Sequence, residues 1–116
     1  MKLKYILFLF IIFSKFSFCS DTLRLGTSTI GGNYYKLGLA IDSILVSNNF
    51  KYEIDIIYTE GSVDNIQRMN NNEIDIAIVQ NDIAFFNQNG ISQFKAPNKN
   101  IAGLITFYPE PIYLIS

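Results

Sequence analysis

Leu23-Arg24-Leu25-Gly26-Thr27-Ser28-Thr29-Ile30-Gly31-Gly32-Asn33-Tyr34-Tyr35-Lys36-Leu37-Gly38 carries the chain from one periodicity into another. Leu23 to Ser28 reads as a short strand that runs out into small and polar residues. After Gly31-Gly32, the positions Tyr34, Leu37, Gly38, Ile41, Ile44 and Leu45 fall at i, i+3, i+4 and i+7, the stripe of an amphipathic helix. Asn33 suits the N-cap and Asn48-Asn49 the stop, because short amide side chains bond nearby backbone groups.

The same alternation recurs downstream. Tyr52, Ile54, Ile56 and Tyr58 alternate with Lys51, Glu53, Asp55 and Ile57, a strand with one face more buried than the other. Gly61-Ser62 turns the chain, with Ser62 as N-cap, and Val63, Ile66 and Met69 stripe a second helix that frays into Asn70-Asn71-Asn72. Ile74-Asp75-Ile76-Ala77-Ile78-Val79 is a third strand, whose Ile/Val content predicts a central position covered on both faces. Gln80-Asn81-Asp82 opens a short third helix through Ile83, Ala84, Phe85 and Phe86, with Asp82 a good cap. A polar loop is expected over 87–100, a fourth strand over 101–107, a break at Pro109-Glu110-Pro111, and a fifth strand over 112–116. Strand–helix alternation at this spacing implies an α/β fold: an open, mainly parallel sheet flanked by helices, with right-handed crossovers.

Composition narrows the classes. Of 116 residues, 49% are hydrophobic and 16% charged, with ten Phe and seven Tyr, so a disordered tail is excluded. A formal charge of -1 argues against a nucleic-acid partner, which needs a dense basic patch. Zero His and one Cys leave no expected metal site, and no cofactor is implied. The Ile, Asn, Phe, Tyr and Lys excess follows AT-rich codons and reads as a genomic bias.

Residues 1–19 read as a secretory signal peptide. Lys2 and Lys4 precede a nine-residue apolar core, Tyr5 to Phe13, too short for a membrane span of about 20 residues. Ser17-Phe18-Cys19 presents small residues for cleavage before Ser20, despite Lys15 in between. An uncleaved anchor and a lipid-modified Cys19 are the alternatives, and Phe18 disfavours the second. Removing the leader leaves six basic against ten acidic side chains, a mildly acidic periplasmic domain over 20–116.

In open parallel sheets, ligands bind beyond the carboxyl ends of the strands. Three strand-to-helix turns should meet there: Thr27 to Tyr35, Thr59-Glu60-Gly61-Ser62 and Gln80-Asn81-Asp82. Each offers hydroxyl or amide groups at a helix start, whose free N–H groups and partial positive charge attract an anion. Glycine admits a ligand close to the backbone. Tyr34 or Tyr35 could supply an aromatic wall, and the stripe assigns Tyr34 to the core. Taken singly, each feature reads equally as a turn or a cap; their repetition after three strands points to a binding crevice.

Gly31-Gly32-Asn33-Tyr34-Tyr35-Lys36-Leu37-Gly38 resembles the G-G-T-Y-Y-x-x-G segment of TAXI proteins, the extracytoplasmic solute receptors of one branch of TRAP transporters. Thr59-Glu60-Gly61-Ser62-Val63-Asp64-Asn65 is similar to their T-x-G-S-x-x-N segment. Glu73 to Asp82 is similar to E-A-D-F-A-L-V-Q-x-D, and Tyr108-Pro109-Glu110-Pro111 fits in order. The resemblance implies a type II periplasmic-binding-protein fold, two lobes around a cleft, with this chain as the N-terminal lobe, truncated before the second. It implies a small carboxylate or amino-acid solute such as glutamate, and TRAP membrane subunits as partners. Its site would comprise Gly32, Asn33, Tyr34, Tyr35, Ser62 and Gln80, then Gly31, Thr27, Gly61 and Asp82. Asn33 departs from the usual Thr. Arg24 and Arg68 lie outside the expected cleft, so a guanidinium clamp would come from a second lobe, which a separately encoded polypeptide could supply. An enzyme is not expected: Asp82, Glu60 and Asp64 could pair as carboxylates, but no His and no thiol in the exported part accompany them. The other readings are an intracellular effector-sensing domain, against which the leader argues, and a surface antigen without solute binding.

Overall fold

The computed structural model describes residues 21–110. Three strands form one parallel sheet: β1 (Thr22–Gly26), β2 (Glu53–Ile57) and β3 (Ile76–Ala77), in the order β2-β1-β3. Between and after them run α1 (Asn33–Ser47), α2 (Ser62–Asn70) and α3 (Asn81–Asn89). The expected open α/β architecture is therefore present. Register pairs Leu25 with Ile56 on one side and with Ile76 on the other, so β1 is the central strand.

Three expectations about the elements need correction. The apolar run after Ile74 places β3 not at the centre but at the edge of the sheet, and only two of its residues pair. Its Ile74 and Ile78 are buried all the same. Burial between sheet and helix yields the same Ile/Val run as lateral pairing, so hydropathy cannot separate the two. The fourth strand, 101–107, does not form; Leu104 is 81% exposed and Ile105 71%. β-prone residues make a strand only where a neighbour accepts their ladder bonds. α3 extends through Asn89, so buried Asn87 belongs to the helix and not to the loop.

The helix starts also differ. Gly32 and Gly61 are the N-caps of α1 and α2, so Asn33 and Ser62 are first helical residues instead of caps; Gln80 caps α3, with Asp82 in its first turn. Gly61 has φ of 107°, a conformation that excludes side chains, which is why the cap shifts onto it. The leader, Cys19 and the fifth strand lie outside the described residues.

The core gathers Leu25, Ile66, Ile74, Ile78 and Phe94. α1 approaches the sheet through buried Gly38, where an added Cβ would meet Thr27 Cγ2 at 2.7 Å. All three helices stop in the same way. In α1 the Phe50 N–H reaches Leu45 O (3.0 Å) and the Asn49 N–H reaches Val46 O (3.1 Å). In α2, Glu73 reaches Arg68 and Asn72 reaches Met69; in α3, Ile91 reaches Phe86 and Gly90 reaches Asn87. This paired closure needs a left-handed residue, supplied by Asn49 (φ 53°), Asn72 (φ 59°) and Gly90 (φ 64°). The polar loop is tied down by amides: Asn98 Nδ2 donates to Asn70 Oδ1 (2.7 Å), and Asn70 Nδ2 to Asn87 Oδ1 (2.9 Å).

Candidate functional site

Beyond the carboxyl ends of the strands, a polar network fixes where the turns go. Thr27, just past β1, is fully buried and donates its hydroxyl to Ile57 O at 3.0 Å. Its own carbonyl accepts from Thr59 Oγ1 (3.0 Å) and from Asn65 Nδ2 (2.8 Å). The second Asn65 amide hydrogen goes to Ile78 O at 2.8 Å. One side chain of α2 thus holds the exits of β1 and β3, while Thr59 ties the exit of β2 to that of β1. Asn65 Oδ1 is buried with no hydrogen-bond donor among the described residues and lies over Gly26, where an added Cβ would stand 2.7 Å away.

Above this network lies an open crevice of about 360 Å³. Its walls are Ser28, Thr29, Gly32, Asn33 and Tyr34 from the first turn, Glu60, Gly61 and Ser62 from the second, Gln80 from the third, and Glu110. The convergence of the three turns is as expected. Six expected residues line it: Gly32, Asn33, Tyr34, Gly61, Ser62 and Gln80. Four do not. Thr27 is in the network below, Gly31 is exposed with φ of 86°, and Asp82 is exposed and accepts the Ile83 N–H. Tyr35 turns away to pack on Tyr58, ring centroids 5.6 Å apart. The roles of the tyrosines are thereby exchanged, since Tyr34 faces the crevice and not the core.

Many crevice N–H groups are already occupied. The Gln80 N–H donates to Ser62 Oγ (2.9 Å), Tyr35 N–H to Ser28 Oγ (3.2 Å), Gly61 N–H to Thr59 Oγ1 (3.2 Å) and Glu60 N–H to Asp64 Oδ2 (3.0 Å). The amides of Asn33, Tyr34, Ser62 and Val63 have no acceptor among the described residues. Tyr34 shares the crevice wall with Ser62 and Glu110. Burial first, then the Glu110 carboxylate, push its pKa up to about 12, with the Ser62 hydroxyl pulling weakly the other way.

Ser28, Thr29, Glu60 and Glu110 were not among the expected site residues. The first three lie inside the expected turns, so proximity alone could have found them. Glu110 stands thirty residues beyond the last turn, and only the Tyr108 to Pro111 segment marks it. Neither arginine enters: Arg24 forks onto Asp75 (2.9 and 2.8 Å) at the other end of the sheet, and Arg68 bonds Asp64 (2.9 Å). Among the described residues no group of His, Cys, Asp and Glu could hold a metal, and no helix is long and apolar enough to cross a membrane.

A parallel α/β sheet whose strand exits carry a polar, solvent-open crevice is consistent with one lobe of a binding protein. Residues 25–116 match the model of the NMT1-like family, and the protein belongs to that family. Membership gives it an extracytoplasmic solute-binding role with a small-molecule partner.

Proposed function

We propose that this protein is a solute receptor of the TAXI type, a binder and not an enzyme. In this reading it presents a small organic acid or amino acid to TRAP-type membrane subunits outside the inner membrane. The observation that carries the reading is the meeting of three strand-to-helix turns at one crevice, with free first-turn amides on two of them. The TAXI branch rests on the four resembling segments. Each of those segments supplies a crevice wall, through Gly32, Ser62, Gln80 and Glu110 among others.

A site that grips small molecules buries about 70–90% of them. This crevice is open on one side, so a second lobe facing it would complete the enclosure, and the chain alone should bind in the millimolar range. Amide-resolved NMR of the exported chain tests this with glutamate, glutamine, 2-oxoglutarate and succinate. Shifts concentrated at Gly32, Asn33, Gly61, Ser62 and Gln80 are expected with at least one of them. Absence of such shifts at tens of millimolar would reject the receptor reading, and micromolar affinity would reject the need for a second wall.

A further inference from the structure

The two edges of the sheet are not alike. β2 carries exposed Glu53 and Asp55 along its length, and charges on an edge discourage another strand from adding to it. β3 has no such guard. From Ile74 to Val79 its one charge is Asp75, and the Arg24 guanidinium holds that carboxylate. The inner side of β3 is in use, with the Asp75 N–H on Arg24 O (2.9 Å) and the Ile78 N–H on Gly26 O (3.0 Å). Backbone groups alternate in direction along a strand, so the N–H and carbonyl of Ile76 face outward. No strand lies on that outer side among the described residues. β3 is therefore an apolar edge with places left for ladder bonds.

A matching segment stands in the same chain. Residues Ile101 to Phe107 are uncharged, free of Pro and rich in β-prone side chains. Their backbone groups bond no other backbone among the described residues. Ala102 to Phe107 are exposed, and a Cβ added at Gly103 would meet nothing within 4 Å. The root of the segment is nonetheless fixed, because the Asn98 N–H reaches Asn87 O (3.0 Å) and its side-chain amide reaches Asn70 (2.7 Å). An edge without a neighbour and a strand without an edge, carried by one chain, complement each other between two copies. Exchange of the segments about a twofold axis satisfies both and closes the pair, so growth stops at two.

We infer that this protein forms a twofold dimer in which residues 101–107 of each copy add as a strand to the outer edge of β3 in the other. Such a dimer stands whether or not the crevice takes a solute.

The test uses the exported chain, residues 20–116, which holds no Cys of its own. Light scattering should give a mass that rises with concentration from monomer to dimer and goes no further. A nitroxide attached to the Thr106→Cys variant, mixed with an isotope-labelled chain that lacks it, should broaden the labelled chain's amides from Ile74 to Val79 and leave those of β2 sharp. Ile105→Pro removes a ladder donor from an exposed position. It should weaken dimerisation by roughly tenfold or more and leave the amide spectrum of the folded body in place. A monomeric mass at NMR concentrations, or growth beyond the dimer, would overturn the inference. Broadening confined to β2 would overturn it as well, as would a dimer that Ile105→Pro leaves equally stable. Mutual protection of residues 101–107 and β3 from amide exchange in a monomer would place the pairing within one chain and reject the dimer.

Discussion

Asn65 joins the exits of two strands through one side chain. Its two amide hydrogens satisfy Thr27 O and Ile78 O in a fully buried place. Replacing it by Ala leaves a cavity and two under-satisfied carbonyls, so Asn65→Ala should cost about 2–4 kcal/mol, read as a lower denaturant midpoint. Acid and base limbs of stability trace to two other residues. Arg24 side-chain hydrogen bonds, then its backbone N–H, hold the Asp75 pKa down at about 2. Folding thus favours the ionised Asp75, and its contribution is complete above the ordinary value of 3.8 and lost as pH falls towards 2. The pair is partly exposed, so solvent screening reduces that contribution to about 1 kcal/mol, which Asp75→Asn should remove. Tyr34 has the opposite sign: folding favours the protonated phenol, so its contribution is complete below pH 10 and declines as pH rises towards 12. Unfolding curves across pH 9–12 should be flatter for Tyr34→Phe. The sequence marks Thr27 as a candidate for solute contact, and the structure buries it among the strand exits. A hydroxyl beside a glycine-rich turn looks the same whether it serves a ligand or a neighbouring strand, and only the third dimension distinguishes Thr27, which bonds Ile57, from Ser62, which reaches the crevice.

Among the elements, the first two strands and all three helices were legible because period two and period 3.6 are imposed by geometry on any half-buried segment. β3 and segment 101–107 were misread for one reason. Lateral pairing depends on a partner far away in sequence, and the local pattern contains no record of it. Helix ends were nearly right and wrong in detail, because the φ of Gly61 moved a cap by one residue. Where the chain stops its helices it uses asparagine twice in a conformation that favours glycine. Asn49→Gly and Asn72→Gly should therefore each stabilise the protein by about 0.5 kcal/mol, measured as a raised Tm with the paired closing bonds retained. The converse change, Gly90→Val, should destabilise strongly, since a Cβ there would also crowd Ala96 and Pro97.

For the whole molecule, the exposed side chains of Leu104, Ile105, Phe107 and Tyr108 form an apolar stretch of chain. Such stretches drive association. The Leu104→Lys/Ile105→Lys variant should stay monomeric at higher concentration in light scattering, with Tm unchanged within about 0.5 kcal/mol of stability, because neither residue is in the core. The stapled strand exits have a different bearing, on how a solute is received. With Thr27, Thr59 and Asn65 already locked together, the base of the crevice is an anvil, shaped before anything lands on it. Capture then costs no ordering of that surface.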